Sequence, residues 1–236
     1  RNPNGWINSC IKLFERIPNQ IKINLSRLSI SATSGTLVPC GLNGINLGNA
    51  IPYNEACTSN SKKLNLIAGE DKFLNNPYSS VAKAIKLIDT FGENIILRHQ
   101  SDWISGWFLK DWSYGEESNN LKLGWNTANK SWPESFDSFS LKKSLPLIIK
   151  SGSIFGKINQ SIANLLGTNE HLLLISGTTD SNAAFIAAQV KENEGLTILG
   201  TTIVLKKIIK KTFNHPGITM HRVNGNWICG GSSNAG

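Results

Sequence analysis

The sequence has no C-x-x-C pair, no H-E-x-x-H and no run of 18 apolar residues, and each absence removes a class of protein. Without such a run, no helix is expected to span a membrane. The four cysteines, Cys10, Cys40, Cys57 and Cys229, stand far apart. Neither a metal site nor a disulfide framework is expected from that spacing, and scattered reduced thiols fit a cytoplasmic protein. The four histidines, His99, His171, His215 and His221, lack any helical pairing suited to a metal, so no metal ligand is assigned. Charged residues make up only 17% against 40% hydrophobic, which fits a folded globular chain and excludes a disordered one. The 236 residues are enough for one large domain or two smaller ones. The first residues, Arg1-Asn2-Pro3-Asn4-Gly5, do not read as a signal peptide or a natural start, so a longer parent protein is expected.

The net charge of +8 raises the question of a nucleic-acid partner. The lysines are dispersed, however. The densest stretch, Lys206-Lys207-Ile208-Ile209-Lys210-Lys211, reads as a solvated strand edge guarded by charge, and no nucleic-acid partner is expected.

Periodicity predicts a helix over residues 4–17, with Trp6, Cys10, Leu13, Phe14 and Ile17 on one face and Pro18 as its stop. Leu28, Ile30 and Ala32 alternate with polar residues as a half-buried strand, and Leu37-Val38 resumes an extended run. Asn43-Gly44 signals a hairpin, and a polar stretch runs to about residue 72. A second helix covers residues 79–91, followed by a strand at Ile95-Ile96-Leu97. Ser101 is expected to cap a short helix carrying Asp102, Trp103, Ile104, Trp107 and Phe108, and residues 111–140 read as irregular. Farther on come an extended segment at 153–157, a helix closed by Gly167, and a buried strand at 172–176. A helix of small residues then starts near Asp180, and a hairpin forms between Leu196–Leu199 and Ile203–Leu205. Strands alternate with helices, so the class is α/β with a mixed sheet.

Three turns follow strands with glycine or small hydroxyl residues: Thr33–Thr36, Gly177–Asp180 and Gly200–Thr202. Glycine lets backbone approach a ligand, and N–H groups with hydroxyls can hold phosphate or sugar oxygens. Each turn alone is equally a plain loop. Asp180, at a helix start, reads either as an N-cap or as a carboxylate free for chemistry.

Together, the motifs resemble a known family. Ser176-Gly177-Thr178-Thr179-Asp180-Ser181-Asn182-Ala183-Ala184, then Leu199-Gly200-Thr201-Thr202, is similar to the Gly-Gly-x-Asp and Leu-Gly-Thr-Ser segments of the FGGY carbohydrate kinases. Ser31–Val38, Tyr53-Asn54-Glu55, Ser101-Asp102-Trp103-Ile104 and Tyr78-x-Ser80-x-x-Lys83 resemble the D-ribulose/D-xylulose kinase-like branch, in order along nearly the whole chain. Departures fall at Ser31, Ser176 and Lys86, where the family typically has Asp, Gly and Trp.

The resemblance implies a ribonuclease H-like (actin-like ATPase) domain over residues 1–190 that binds sugar, and the beginning of a second such domain over 191–236 that binds nucleotide. It implies ATP-dependent phosphorylation of a ketopentose, with Mg²⁺, in the cytoplasm. Asp180 would be the catalytic base. Thr33, Ser34, Asp102 and Trp103 would bind sugar, and Gly200, Thr201 and Thr202 would bind nucleotide phosphates. For Trp103 and Trp107, core packing is the alternative role. The partners implied are sugar and ATP, without nucleic acid or membrane, with monomer or homodimer left open. A catalytically silent actin-like domain is the alternative the departures suggest. A first phosphate hairpin and an adenine segment are expected outside this sequence, so residues 1–236 alone are expected to be inactive. The terminal Gly230-Gly231-Ser232-Ser233-Asn234 is expected to open a helix of the second domain.

Overall fold

The computed structural model describes residues 1–199, 203–213, 215, 217–223 and 225–233. The chain opens with α1 (Asn4–Arg16) and the short α2 (Asn19–Lys22), then β1 (Arg27–Ser29) and β2 (Leu37–Cys40). α3 (Ser61–Ala68), α4 (Ser80–Phe91), β3 (Ile96–His99) and α5 (Gln100–Leu109) follow. Next come β4 (Tyr114–Glu116), α6 (Glu117–Asn120), β5 (Leu147–Ile149), β6 (Ile154–Lys157), α7 (Gln160–Leu166) and β7 (Leu173–Ile175). α8 (Asp180–Ala187) leads to β8 (Gly195–Ile198), β9 (Ile203–Ile209), β10 (Thr219–Val223) and β11 (Asn226–Ser233).

A mixed three-stranded sheet has the order β1-β7-β6, with β1 parallel and β6 antiparallel to β7. Parallel pairing of β1 and β7 places their C-terminal ends side by side, and both of the first two candidate turns lie just beyond those ends. That is where open α/β sheets present ligand crevices. β2 with β3, and β4 with β5, form two-stranded ladders. The second larger sheet is antiparallel, in the order β10-β11-β9-β8.

Three apolar clusters hold these layers. One gathers α3, α4 and the segment around Leu123, Phe136 and Leu141 against Leu37 and Leu97. Another packs α1, α5 and α7 against β7, with Phe14, Trp103, Phe108, Ile162 and Leu174 at its centre. The third joins Phe185 of α8 to Val223 and Ile228 of the second sheet.

Local chemistry explains most boundaries. α4 starts where the Ser79 hydroxyl accepts from the Ala82 amide at 3.1 Å, and it ends at Gly92, whose φ of 85° few other residues adopt. Within α4 the buried Lys83 donates to the carbonyl oxygens of Tyr78, at 2.5 Å, and Tyr53, at 3.3 Å. Burial lowers its pKa to about 8. The separate Tyr53 and Tyr78 motifs are thereby tied together by one ammonium.

Several expectations are corrected. The polar stretch before residue 72 contains α3, whose Leu64, Ile67 and Ala68 are buried. The Asn43-Gly44 turn closes through an isolated Cys40–Asn46 bridge and does not join two strands. Ser101 caps nothing: His99 precedes α5, and the buried Ser101 hydroxyl has no partner among the described residues. Residues 111–140 hold β4 and α6 along with irregular chain. β9 is no edge, because β8 and β11 pair with it on both sides. Lys206 on it is only 5% exposed, while Lys207 points out. Gly230 to Ser233 continue β11 and open no helix. Gly230 sits opposite Lys206, where a Cβ would meet the Lys206 stem at 3.2 Å.

Candidate active site

The parallel relationship of β1 and β7 persists past the strands as an isolated bridge between Ala32 and Thr179. The Asp180 amide donates to the Ala32 carbonyl oxygen at 3.0 Å, so the Thr33–Thr36 turn and the start of α8 lie side by side. Gly177 permits this approach: a Cβ there would lie 1.9 Å from the Ile30 carbonyl oxygen.

Asp180 is exposed at the first turn of α8, and the N-cap is Thr179, whose hydroxyl accepts from the Asn182 amide at 3.2 Å. The carboxylate itself accepts only from the adjacent Ser181 amide among the described residues, at 2.8 Å. Asn182 is buried, with its side-chain amide donating to the Thr178 hydroxyl at 3.1 Å. Capping is thus done by Thr179, and the carboxylate faces solvent.

In the facing turn Gly35 has a φ of 89°. The Thr33 hydroxyl reaches the Gln100 Oε1 at 3.2 Å, and the Gln100 amide donates to the Thr36 carbonyl oxygen at 3.1 Å. Gln100, at the first position of α5, therefore braces the turn, a role its neighbours in sequence did not signal. The Ser34 hydroxyl is half-buried and makes no hydrogen bond among the described residues. Below the turn lies the buried His99, its pKa lowered to about 3 by burial and by the nearby Lys122 and Lys83.

Two lysines complete the site, and the sequence reading missed both. Lys122 runs along the turn, with Nζ 3.8 Å from where a Gly35 Cβ would stand. Lys206 reaches across from β9 and donates to the Ser181 hydroxyl at 2.9 Å and to the Asn182 Oδ1. Burial lowers the pKa of both, that of Lys206 to about 8, while the charge of Asp180 acts on each in the opposite direction. Lys122 follows an unremarkable Asn-Asn-Leu, and nothing in that pattern separates it from a surface lysine. For Lys206 the alternation of β9 was the available signal, since every second residue of a strand faces one side.

Asp102 and Trp103 are placed differently. Asp102 is 2% exposed, accepting from the Glu116 amide and the Asn120 Nδ2, each at 2.9 Å. Burial, with Glu116 beside it, raises its carboxyl to about 7. Glu116 is itself bonded to the Ser118 and Asn119 amides and to Ser151. Trp103, 3% exposed, packs in the second core and donates its indole N–H to the Gly44 carbonyl oxygen at 3.0 Å. Both therefore have internal partners among the described residues. Gly200, Thr201 and Thr202 lie outside the described residues, between β8 and β9.

Among the described residues no group of three His, Cys, Asp or Glu side chains could hold a metal ion. No helix among them is long and apolar enough to cross a membrane.

Solved structures share this fold. Xylulose kinase from Rhodospirillum rubrum superposes with a TM-score of 0.86 at 13% identity, covering 98% of this chain and 52% of that one. Gluconate kinase from Lactobacillus acidophilus gives 0.80 at 15%, covering 100% and 51%. Plasmodium falciparum glycerol kinase with ADP gives 0.76 at 18%, covering 98% and 52%. No family model matches the sequence. The fold is that of the carbohydrate kinases, an α/β architecture of the actin-like ATPase type. The chain spans about half the length of the solved structures it matches.

Proposed function

We propose that this chain belongs to an ATP-dependent carbohydrate kinase of the FGGY type, in its D-ribulose/D-xylulose kinase-like branch. The observation that carries the reading is the placement of Asp180: exposed, released from capping by Thr179, and tied at 3.0 Å through its amide to the strand that ends in the Thr33–Thr36 turn. Residues 1–190 would form the sugar-binding part and 191–236 the start of the nucleotide-binding part. Phe185 supports a junction at α8, since that helix begins beside the first sheet and packs onto the second.

A sugar seated on the turn would hydrogen-bond to Ser34, whose hydroxyl no described residue holds, and to Thr33. The oxygen of its terminal hydroxyl attacks the γ-phosphorus of ATP as the bond to the β-bridging oxygen breaks, leaving ADP. The hydroxyl proton passes to a carboxylate oxygen of Asp180. Gly200, Thr201 and Thr202, between β8 and β9, would meet the nucleotide phosphates. Asp102 would act on the sugar from beneath, by holding β4 and the start of α6 through Glu116 and Asn120. Trp103 would support that same wall from the core. No step is routed through Mg²⁺.

The acceptor would be a ketopentose, D-ribulose ahead of D-xylulose, because short hydroxyl residues at Thr33 and Ser34 leave room and a particular donor set. A site built to bond one hydroxyl rejects the epimer that leaves its polar groups unpaired. ADP release by the full-length protein with D-ribulose, D-xylulose, L-ribulose, glycerol and gluconate tests this. The reading expects the highest kcat/KM for a D-ketopentose. A higher value for glycerol or gluconate would overturn the substrate assignment, and no ADP release with any sugar would favour a silent binding domain.

A further inference from the structure

Asp180 is a single carboxylate, yet two ammonium groups from distant parts of the chain converge on it. Lys122 comes from the segment after α6 and lies along the Thr33–Thr36 turn, 3.8 Å from the Gly35 Cβ position. Lys206 comes from β9, 84 positions later, and is fixed to Ser181 and Asn182 in the first turn of α8. Neither lysine forms an ion pair among the described residues. An ammonium has three donors. Lys206 spends two on the helix turn, and Lys122 spends none on a described residue, so N–H groups on both are unused by the described residues.

The site is therefore charged in excess of its own carboxylate. His221 on β10 senses both lysines, which, after burial, hold its pKa at about 3, and its Nδ1 is buried without a partner among the described residues. Desolvated cations without counter-charges are costly to keep. An arriving anion removes that cost. The β8–β9 connection, from which Lys206 follows, is the segment read as meeting nucleotide phosphates.

We infer that Lys122 and Lys206 form a two-sided seat for the phosphoryl group in transfer, one lysine on the acceptor side of Asp180 and one on the nucleotide side. This rests on the kinase reading of the same site. As the β–γ bond breaks, negative charge spreads over the equatorial oxygens, and two preplaced ammonium groups stabilise it without reorganising. Lys206 also ties the second sheet to the helix that carries Asp180, so it positions the base as well as the phosphoryl group.

The test uses the full-length protein with Lys122→Met, Lys206→Met, Lys206→Arg and, as a control, Lys207→Met on the exposed side of the same strand. Binding of inorganic phosphate alone is followed by calorimetry at fixed ionic strength, beside kinetics with ATP and the preferred sugar. Each Met variant is expected to weaken phosphate binding about tenfold or more. Their kcat should fall about 10²-fold or more while the KM for sugar changes little. Lys206→Arg should retain most binding, and Lys207→Met should match wild type. If Lys206→Met fails to fold, Lys122→Met and Lys206→Arg still decide.

Sugar phosphorylation with unchanged kcat in both Met variants would overturn the seat and leave the kinase reading standing. Phosphate binding lost in both Met variants, without any sugar phosphorylation, would keep the seat as an anion site and remove the kinase reading. Equal loss in Lys207→Met, or gluconate held by the lysines in preference to phosphate, would overturn the seat in favour of general charge or a sugar acid.

Discussion

The Asp180 amide donates to the Ala32 carbonyl oxygen at 3.0 Å, a bond joining residues 148 positions apart in the chain. It continues the parallel pairing of β1 and β7 beyond the sheet and sets the acceptor turn beside the proposed base. The relative placement of these two turns is thus fixed by backbone, and it does not depend on which side chains fill them.

Thr179 and Asp180 divide two tasks that either residue type could perform. Thr179→Ala should lower stability by about 1 kcal/mol, the usual cost of a lost N-cap, with Thr179→Ser recovering most of it. Asp180→Asn leaves the cap in place and should cost no more than Thr179→Ala, its loss coming only from the carboxylate charge that Lys122 and Lys206 face and so shrinking as salt is raised. Thermal melts of the three variants measure this. A large loss in Asp180→Asn alongside a silent Thr179→Ala would reverse the assignment of the cap.

Gly177→Ala should be among the more damaging single-atom additions near the site. Its Cβ would stand 1.9 Å from the Ile30 carbonyl oxygen, and backbone, unlike a flexible side-chain end, cannot swing away. A destabilisation of about 1–3 kcal/mol is expected in urea unfolding, with loss of the Asp180–Ala32 alignment and hence of activity. A fully active, equally stable variant would contradict the close approach.

Asp102 gives a pH signature. Its carboxyl is raised from an ordinary 3.8 to about 7, so between those values the folded state holds a proton that the unfolded state has released. Stability from this group is therefore present at low pH and is lost as pH rises toward 7, at up to about 1.4 kcal/mol per pH unit. His99, held near 3 by burial, works in the opposite direction below pH 6.5, because its proton binds only the unfolded chain there. Comparing wild type with Asp102→Asn cancels His99. The melting temperature of wild type relative to the variant should fall from pH 5 to pH 8. A difference that stays flat across that range would mean Asp102 is ionised throughout.

Much of this was legible in the sequence because periodic apolar residues and caps report directly on local structure. The helix of α4 with Ser79 at its start, the Gly167 stop and the β8–β9 hairpin all follow from such signals. α3 escaped because Ser61-Lys62-Lys63 and Asn65 dilute its apolar face to Leu64, Ile67 and Ala68. The Gly230–Ser233 segment was misread because small residues suit a helix start, whereas here Gly230 makes room for the Lys206 stem across the ladder. The Gly177 and Thr33 turns could be named from residue types, but Lys122, Lys206 and Gln100 reach the site through long-range topology that one-dimensional spacing does not encode. Asp102 and Trp103 were read from adjacent motif positions, and their side chains turned out to be held in buried bonds.

The central claim is that the Asp180 carboxylate takes the proton of the sugar hydroxyl. It is tested most directly by turnover of full-length Asp180→Asn at saturating ATP and D-ribulose, with sugar affinity measured in parallel. The account predicts a fall in kcat of about 10²–10⁴-fold with sugar binding largely kept. Wild-type turnover in the Asn variant would contradict it and reduce Asp180 to an exposed residue at the start of a helix.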